Sequence, residues 1–241
     1  MKKLIIKLLP KIMLKFYSKR IKKKNPDKFS GKSLKEAFTQ IYESNHWQAE
    51  ESVSGTGSDN IQTKEIIKEL PKLIKKYRIQ SMIDVPCGDF NWMSKVNLSE
   101  INYLGADIVE ELIAINTKNY SKGNISFVTL DLTKDKLPQA DLIFVRDCFV
   151  HLSYENIYRA LTNICNSESK YLLTTSFHDR KTNFDIPLGK WRPINLVVPP
   201  FNFPAPLDMI IENCTEGNGV FSDKALMMWE IKSLKHRILK E

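Results

Sequence analysis

Glycine is scarce in this sequence, with nine residues among 241, and the turn after the first predicted strand contains only Gly88. The next glycine along the chain is Gly105. A nicotinamide dehydrogenase would need a G-x-G-x-x-G turn at this point, because its backbone amides must approach a pyrophosphate. A Walker phosphate loop is absent as well. The shortage of glycine therefore excludes both of these nucleotide-binding patterns.

Cysteines and long apolar runs are also few. No apolar run approaches the roughly 20 residues that span a bilayer, and lysines interrupt the apolar residues where a signal peptide would begin. No C-x-x-C pair occurs, so we expect buried free thiols in a reducing, cytoplasmic compartment. The four cysteines are Cys87, Cys148, Cys165 and Cys214.

Acidic residues are missing from residues 1–24, which hold ten Lys or Arg. The remaining chain carries 26 basic and 28 acidic residues, whereas a nucleic-acid enzyme usually has its basic surface on the docking domain. A nucleic-acid substrate is therefore disfavoured. The lysines of this basic arm follow i, i+4 spacing opposite an apolar side. This pattern predicts an amphipathic helix, which either rests on an anionic membrane surface or packs on its own domain.

Strand and helix patterns alternate through the rest of the chain. A cap of helix and loop over 25–59, with its helix at 33–43, precedes a domain over 60–241. A helix at about 60–77, with a kink or break at Pro71, leads into that domain. Its predicted strands are 81–85, 103–106, 125–130, 141–145, 171–176, 208–214 and 225–231, and its later helices are 109–119 and 154–165.

Short β-rich runs separated by helices require crossover connections, which indicate a parallel sheet. The last two predicted strands are joined by a turn that contains glycine, and they form a terminal hairpin. The fold class is therefore α/β: a Rossmann-like open, mostly parallel sheet with helices on both faces and a terminal antiparallel β-hairpin.

Residues 178–207 interrupt this alternation. They contain six prolines, and their apolar residues show no helical spacing. A loop of this length in a compact domain is usually functional or disordered, and its aromatic residues argue against disorder. We predict an ordered wall or lid of an acceptor pocket.

Acidic residues recur where the predicted strands end. Asp84 ends the first strand and Asp107 the second, Asp131 ends the third, and Asp147 follows the fourth. Ligands of an open parallel sheet bind at the carboxyl ends of its strands. Each Asp alone could be a helix cap or turn residue, but the four together predict a site that grips a nucleotide-like cofactor.

The stretch from Asp84 to Phe90, DVPCGDF, together with these acids, resembles class I S-adenosylmethionine-dependent methyltransferases over roughly residues 60–231. Of the three glycines usual in that turn only Gly88 is present, and Pro86 and Phe90 occupy the other two positions. The resemblance implies S-adenosyl-L-methionine as cofactor and S-adenosyl-L-homocysteine as product. The implied cofactor-binding residues are Asp84, Pro86, Gly88, Asp107, Ile108, Asp131, Leu132 and Asp147.

Three further stretches, SVSGTGS, RDCFVHLS and GKWRPINL with the following PFNFP, resemble bacterial methyltransferases of surface-polysaccharide and sugar-modification clusters. The resemblance implies O-methyl transfer onto a carbohydrate hydroxyl, or onto an oxygen of a phosphoryl or phosphoramidate substituent, in capsule or surface-polysaccharide biosynthesis. A small-molecule N- or carboxyl-methyltransferase and a non-catalytic module of the same fold remain alternatives. The loop 54–58 either closes over the cofactor or is a linker.

A sugar hydroxyl must lose a proton as it attacks, and His151 is the first candidate for the general base. Asp147 would orient it if this turn is helical; alternatively, His151 caps the helix that starts near Ser153. His178 and Asp179 are the second catalytic candidates. A phosphoryl oxygen, which is already anionic, would need no base.

Four residues of the long loop could line the acceptor site, because Trp offers an apolar face to a sugar ring and Arg can bind phosphate or carboxylate. No metal signature is present, so we expect activity without a metal ion. The oligomeric state is left open. The predicted acceptor residues are Asn183, Trp191, Arg192 and Asn195.

Overall fold

The computed structural model describes residues 28–239 of the chain. The predicted basic arm, with its amphipathic helix and membrane contact, lies outside the described residues. None of the helices within 28–239 is long and apolar enough to cross a membrane. The four cysteines are free thiols, and all but the partly exposed Cys148 are buried.

A seven-stranded sheet in the order β3-β2-β1-β4-β5-β7-β6 forms the centre of this part of the chain. The first five strands are parallel, and β7 runs antiparallel to both of its neighbours. The predicted α/β class, the mostly parallel sheet and the terminal hairpin are confirmed. The strands are β1 Ser81–Asp84, β2 Asn102–Asp107, β3 Ile125–Thr129, β4 Leu142–Val145, β5 Tyr171–Phe177, β6 Asp208–Ile211 and β7 Lys224–Glu230.

Five α-helices flank the sheet in the described range. Ser33 begins α1 with a capping box, in which its side chain accepts from the backbone N–H of Glu36 and the Glu36 side chain accepts from that of Ser33. Pro71 lies within α2 without dividing it, so the prediction of two shorter pieces is wrong. The helices are α1 Leu34–Glu43, α2 Asn60–Lys76, α3 Glu110–Tyr120, α4 Tyr154–Asn166 and α5 Ile231–Ile238.

The central strands are buried on both faces, as expected for a parallel sheet covered by helices. All four residues of β4 are buried. Alternate side chains enter opposite cores: Ile143 packs with α4 and α5, whereas Phe144 packs with α2. Helices therefore lie on both faces, as the sequence predicts, and the ligand-binding edge is left to the loops.

The β6–β7 hairpin determines which residues reach that edge. Because β7 is antiparallel to β5, its first residue, Lys224, pairs with Phe177 at the end of β5. β6 runs antiparallel to β7 and thus parallel to β5, so Glu212 emerges just beyond the end of β6 on the same side. The hairpin consequently brings a cation and a carboxylate to the edge where the parallel strands end.

Residues 178–207 contain neither helix nor strand, yet they pack closely on the domain. Phe201 and Phe203 are both buried, with Phe201 against Tyr158 on α4 and Phe203 edge-on to Trp229. The Trp229 indole N–H also donates to the Pro204 carbonyl at 2.8 Å. The aromatic residues thus anchor an ordered segment to the core.

Candidate functional site

A cleft opens at the carboxyl edge of the sheet, with a volume of about 1140 Å³ when the open solvent at its mouth is included. His151 lines it together with every cofactor-binding residue predicted from the sequence. The structure therefore brings these nine positions into one cavity. They are Asp84, Pro86, Gly88, Asp107, Ile108, Asp131, Leu132, Asp147 and His151.

Asp84 lies at the floor of the cleft, at the end of β1. It is 2% exposed and accepts a hydrogen bond from the Tyr103 hydroxyl at 2.7 Å. Burial raises the pKa of Asp84 to about 8, although the Tyr103 hydrogen bond acts in the opposite direction. An electrically neutral carboxyl thus predominates here at pH 7, and a cation placed beside it would favour its ionised form.

The turn after β1 is built around Gly88, whose φ of +55° is a conformation that suits glycine. Its backbone N–H donates to Asp107 Oδ2 at 3.2 Å, and its carbonyl accepts from Asn116 at 2.7 Å. A Cβ at this position would collide with Ser54 Oγ unless that hydroxyl rotated away. The positive φ and the close approach of the loop at 54–58 both favour glycine here.

Asp107 ends β2 and is 6% exposed. Its carboxylate accepts the N–H of Val109 at 3.0 Å and that of Gly88 through the other oxygen. Burial raises the pKa of Asp107 to about 6, and the backbone hydrogen bonds oppose the rise. Each oxygen retains acceptor capacity, so Asp107 can accept further hydrogen bonds from a ligand in the cleft.

Asp131 and Leu132 follow β3, the strand next to β2. Asp131 Oδ1 accepts from both the backbone N–H and the hydroxyl of Thr133, at 2.9 and 2.7 Å. The Leu132 carbonyl accepts from Asn163 on α4 at 2.9 Å. Both side chains are buried, and their positions are fixed by these contacts.

Asp147 belongs to a buried ion cluster, defined here as Arg146, Asp147, Glu212 and Lys224. Lys224 Nζ lies 2.6 Å from Asp147 Oδ2 and 3.3 Å from Glu212 Oε2. Arg146 Nη2 lies 2.8 Å from the same Glu212 oxygen. Burial raises the pKa of Asp147, but the charges of Lys224 and Arg146 outweigh it and lower the value to about 2. Asp147 is therefore ionised and its charge is balanced by Lys224, whereas Asp84 is mostly protonated at pH 7.

The cluster also holds the loop at 54–58. Arg146 Nη2 donates to the Gly57 carbonyl at 2.7 Å, and the Thr56 hydroxyl donates to Glu216 at 2.7 Å. Ser54 and Ser58 line the cleft. Of the two expectations for this loop, the structure favours one that closes over the cleft.

The predicted cap supplies the remaining wall. Helix α1 contributes Leu34, Phe38 and Ile41 to the lining. Trp47, in the loop that follows, stacks on His151 with a centroid separation of 4.6 Å and an angle of 38° between the rings. Residues of the cap thus cover a cleft whose floor is the sheet edge.

His151 ends a short 3₁₀ helix, Phe149–His151. Its Nδ1 lies 3.1 Å from the Lys190 carbonyl, and a carbonyl only accepts, so Nδ1 carries the proton and Nε2 is the free base. Burial lowers the pKa of His151 to about 4, although nearby Asp147 raises it. The ring is neutral at pH 7.

Two expectations for His151 require correction. Its orienting partner is the Lys190 carbonyl rather than Asp147, because the Asp147 carboxylate is bound by Lys224. The cap of α4 is Ser153, whose hydroxyl accepts from the backbone N–H of Asn156, and not His151.

The second catalytic pair lies elsewhere. His178 Nδ1 and Asp179 Oδ1 are 3.1 Å apart, but the Asp179 side chain is 73% exposed. Neither residue lines the cleft. The structure therefore does not bring them together with His151.

The predicted acceptor residues do not line the cleft either. Arg192 is fully buried, and Asn195 is 3% exposed, with its amide donating to the carbonyls of His178 and Arg180. Asn183 exchanges hydrogen bonds with the Asn195 backbone. Trp191 packs on Phe221 at 4.8 Å. Contacts with the rest of the domain or within the long loop therefore occupy all four.

Sequence reasoning missed Arg146, Glu212, Lys224, Trp47 and Tyr103. Lys224 and Glu212 lie within or beside apolar strands, and a charge in such a place can be recognised in the sequence as a candidate buried ion pair. Their pairing across separate strands was not detectable, because it depends on how the hairpin is inserted. Within the described range, no group of three or more His, Cys, Asp or Glu side chains could hold a metal ion.

No protein-family model matches the chain, and no curated protein matches it in sequence. Human N-acetylserotonin methyltransferase, solved in complex with SAM, matches with a TM-score of 0.56 and 16% identity, over 85% of this chain and 59% of that chain. The N-methyltransferase NodS from Bradyrhizobium japonicum WM9 matches with a TM-score of 0.52 and 14% identity, over 71% of this chain and 97% of that chain. The chain therefore spans less than two thirds of the human protein and has the Rossmann-like fold of these methyltransferases.

Replacing Lys224 with Met is expected to lower the free energy of unfolding by about 3–5 kcal/mol, because the buried Glu212 and the partly exposed Asp147 both lose the ammonium that pairs with them and only Arg146 remains. Lys170→Met is the matched control: its Nζ is also 2.6 Å from a carboxylate, that of Asp141, but its side chain is 66% exposed. Its loss should be much smaller. Urea unfolding measures both, and equal losses would contradict the role assigned to burial.

Asp84→Asn is expected to stabilise the protein increasingly as pH rises from about 4 to 8. The folded-state pKa is about 8, against an ordinary value of 3.8. Folded Asp84 thus holds a proton that the unfolded chain has lost, and this costs stability as pH rises. One proton accounts for at most about 1.4 kcal/mol per pH unit.

The measurement is the free energy of unfolding of both proteins in urea at several pH values across that range. The asparagine carbonyl can still accept from Tyr103, so the change removes mainly the ionisation. Parallel pH profiles for the two proteins would show that Asp84 is not the group responsible.

Proposed function

We propose that this protein is an S-adenosyl-L-methionine-dependent O-methyltransferase. The observation that carries the proposal is the convergence of the strand-end acids and the Gly88 turn in one cleft at the carboxyl edge of the sheet. The shared fold with solved methyltransferases supports it. The cofactor, the activity and the acceptor are part of this proposal.

The residues present fit the cofactor chemically. Asp107 has free acceptor positions for the two ribose hydroxyls. The apolar side chains of Ile108 and Leu132 suit a flat adenine ring. Asp84 is a buried carboxyl that forms no ion pair with any residue of 28–239, and this favours the positive charges at the methionine end.

When bound, S-adenosyl-L-methionine supplies a methyl group already activated by a sulfonium centre. What remains for the chain is to align the acceptor and to exclude water. The cap helix and the loop at 54–58 enclose the cleft. His151 Nε2 would take the hydroxyl proton as the acceptor oxygen acquires the methyl group, and S-adenosyl-L-homocysteine would be released.

The charge of the cleft favours a neutral acceptor. Among the lining residues within 28–239, Arg146 is the only Lys or Arg, and Glu212 already pairs with it. A phosphoryl, phosphoramidate or carboxylate acceptor would bring an anion beside several acids without a free cation to match it. A neutral hydroxyl avoids this cost, and it needs the base that His151 provides.

We propose a carbohydrate of bacterial surface-polysaccharide biosynthesis as the source of that hydroxyl. The finer sequence resemblance supports this choice, and the aromatic faces of Trp47 and Phe38 in the cleft suit the apolar face of a sugar ring. We further propose a cytoplasmic enzyme that acts on a small or glycan acceptor, with residues 1–24 contacting the inner face of the membrane.

Asp107→Ala is expected to weaken binding of S-adenosyl-L-homocysteine by about 1–3 kcal/mol, or roughly 5- to 150-fold, because hydrogen bonds to a charged group are lost. Isothermal titration calorimetry measures the change. Glu155→Ala, which removes an exposed carboxylate on α4, should bind like the native chain. NAD should not bind.

An unchanged dissociation constant for Asp107→Ala would remove this residue from the site. If the native chain bound neither ligand, the enzyme proposal would lose its basis. A non-catalytic role for the fold would then take its place.

His151→Gln is expected to lower kcat at least ~100-fold while binding of S-adenosyl-L-homocysteine is retained, because general-base assistance is lost. His178→Gln, outside the cleft, is the matched control and should keep its activity. The assay follows methyl transfer to nucleotide-linked sugars and glycan fragments.

Since the pKa of His151 is about 4, the native rate should fall only as pH drops toward that value. Chelation with EDTA should leave the rate unchanged. Full activity of His151→Gln would exclude this residue as the base, and methylation of amines or carboxylates alone would replace the hydroxyl acceptor in the proposal.

A further inference from the structure

The segment Gly189–Arg192 is bound along the short helix that carries His151. The Arg192 N–H donates to the Val150 carbonyl at 3.0 Å, and the Gly189 N–H donates to the His151 carbonyl at 3.2 Å. Between these two contacts, the Lys190 carbonyl accepts from His151 Nδ1. The long loop therefore fixes both the backbone and the ring of His151.

The Arg192 guanidinium also binds the turn that carries His151. Nη1 donates to the Phe149 carbonyl at 2.8 Å, and Nε donates to the Phe184 carbonyl at 3.0 Å. The planar group thus bridges two separate segments through neutral acceptors, and it lies over the Tyr154 ring at 5.5 Å. Its Nη2 has no hydrogen-bond partner in the described part of the chain.

Such burial is costly, since a guanidinium removed from water is normally paired with a carboxylate. An apolar side chain could fill this space at lower cost. What an apolar side chain could not do is hold the carbonyls of Phe149 and Phe184 in a fixed relation. We therefore attribute the buried charge of Arg192 to its role in holding these two carbonyls at a fixed distance.

This geometry has a direct effect on His151. With Nδ1 committed to Lys190, the Nε2 lone pair is free, and no hydrogen bond to Nε2 occurs within residues 28–239. Trp47 covers the ring. The imidazole is therefore held in one tautomer and one orientation at the wall of the cleft.

We propose that Arg192 is a positioning residue for proton transfer: by holding the Phe149–His151 turn against Lys190, it keeps Nε2 of His151 presented to the acceptor. The catalytic part of this statement rests on the proposed function, in which His151 is the base. It replaces the earlier expectation that Arg192 binds an anionic acceptor.

The charged groups that affect His151 act in both directions. Burial lowers its pKa most, Asp147 and the Lys190 carbonyl raise it, and the cations Arg192 and Lys224 lower it. Removing the Arg192 charge should therefore move the pKa of His151 upward.

The test is nitrogen NMR of the imidazole rings, with the signals of His151 assigned by their loss in His151→Gln. In the native chain we expect the proton on Nδ1. In Arg192→Met we expect a mixture of tautomers, and loss of the Arg192 charge acts to raise the pKa of His151. In Arg192→Lys, which keeps the charge but lacks the planar guanidinium that spans the Phe149 and Phe184 carbonyls, only the tautomer should change.

Arg180→Met is the matched control. Arg180 also lies mostly buried in the long loop, but it binds the Val220 carbonyl and Asp223, away from His151. The His151 signals should be unchanged in this variant. If Arg192→Met does not fold, as circular dichroism would reveal, Arg192→Lys decides the question.

A native ring protonated on Nε2, or the same His151 spectrum in Arg192→Lys as in the native chain, would overturn the proposal. These readings require no methyl acceptor. Calorimetry with S-adenosyl-L-homocysteine on the same samples reports on the proposed function separately, so either proposal can fail alone. With an acceptor in hand, Arg192→Lys should lower kcat and leave KM nearly unchanged.

Discussion

The pairing of four charged side chains beneath the cleft is the interaction on which much of the structure depends. Arg146, Asp147, Glu212 and Lys224 are largely removed from water, and charges in that state must be paired. They come from the end of β4, the end of β6 and the start of β7. Their pairing is possible only because β7 runs antiparallel between β5 and β6 and brings its first residue to the edge where the parallel strands end.

The same cluster separates the acids of the site into two kinds. Asp147 is paired with Lys224 and stays ionised, whereas Asp84 and Asp107 form no ion pair within the described part of the chain and burial raises their pKa values. A cationic ligand gains most from the uncompensated acids. Through Arg146 and the Gly57 carbonyl, the cluster also holds a loop over the cleft, so electrostatics and enclosure depend on one set of contacts.

Much of the fold could be predicted from the sequence, because hydrophobic periodicity reports local structure directly. All seven strands were found to within a few residues. Helix α5 was missed because its charged residues follow β7 without a break and resemble a solvated tail. Arg192 was misplaced for a related reason: composition identified a residue able to bind an anion, whereas its burial under the turn depends on contacts between distant segments.

The sequence by itself determined the order of the seven strands and of every helix but α5, and the presence of an acid at or just after the end of each of the first four strands. Both are properties of neighbouring residues, and parallel strands bring their ends to one edge whatever the loops do. Only the tertiary structure decided which acid is neutralised, which imidazole nitrogen is free and which residues of the long loop face inward. The burial of a side chain and its ion pairing depend on contacts between segments that are far apart in the chain. Local sequence patterns do not show these contacts.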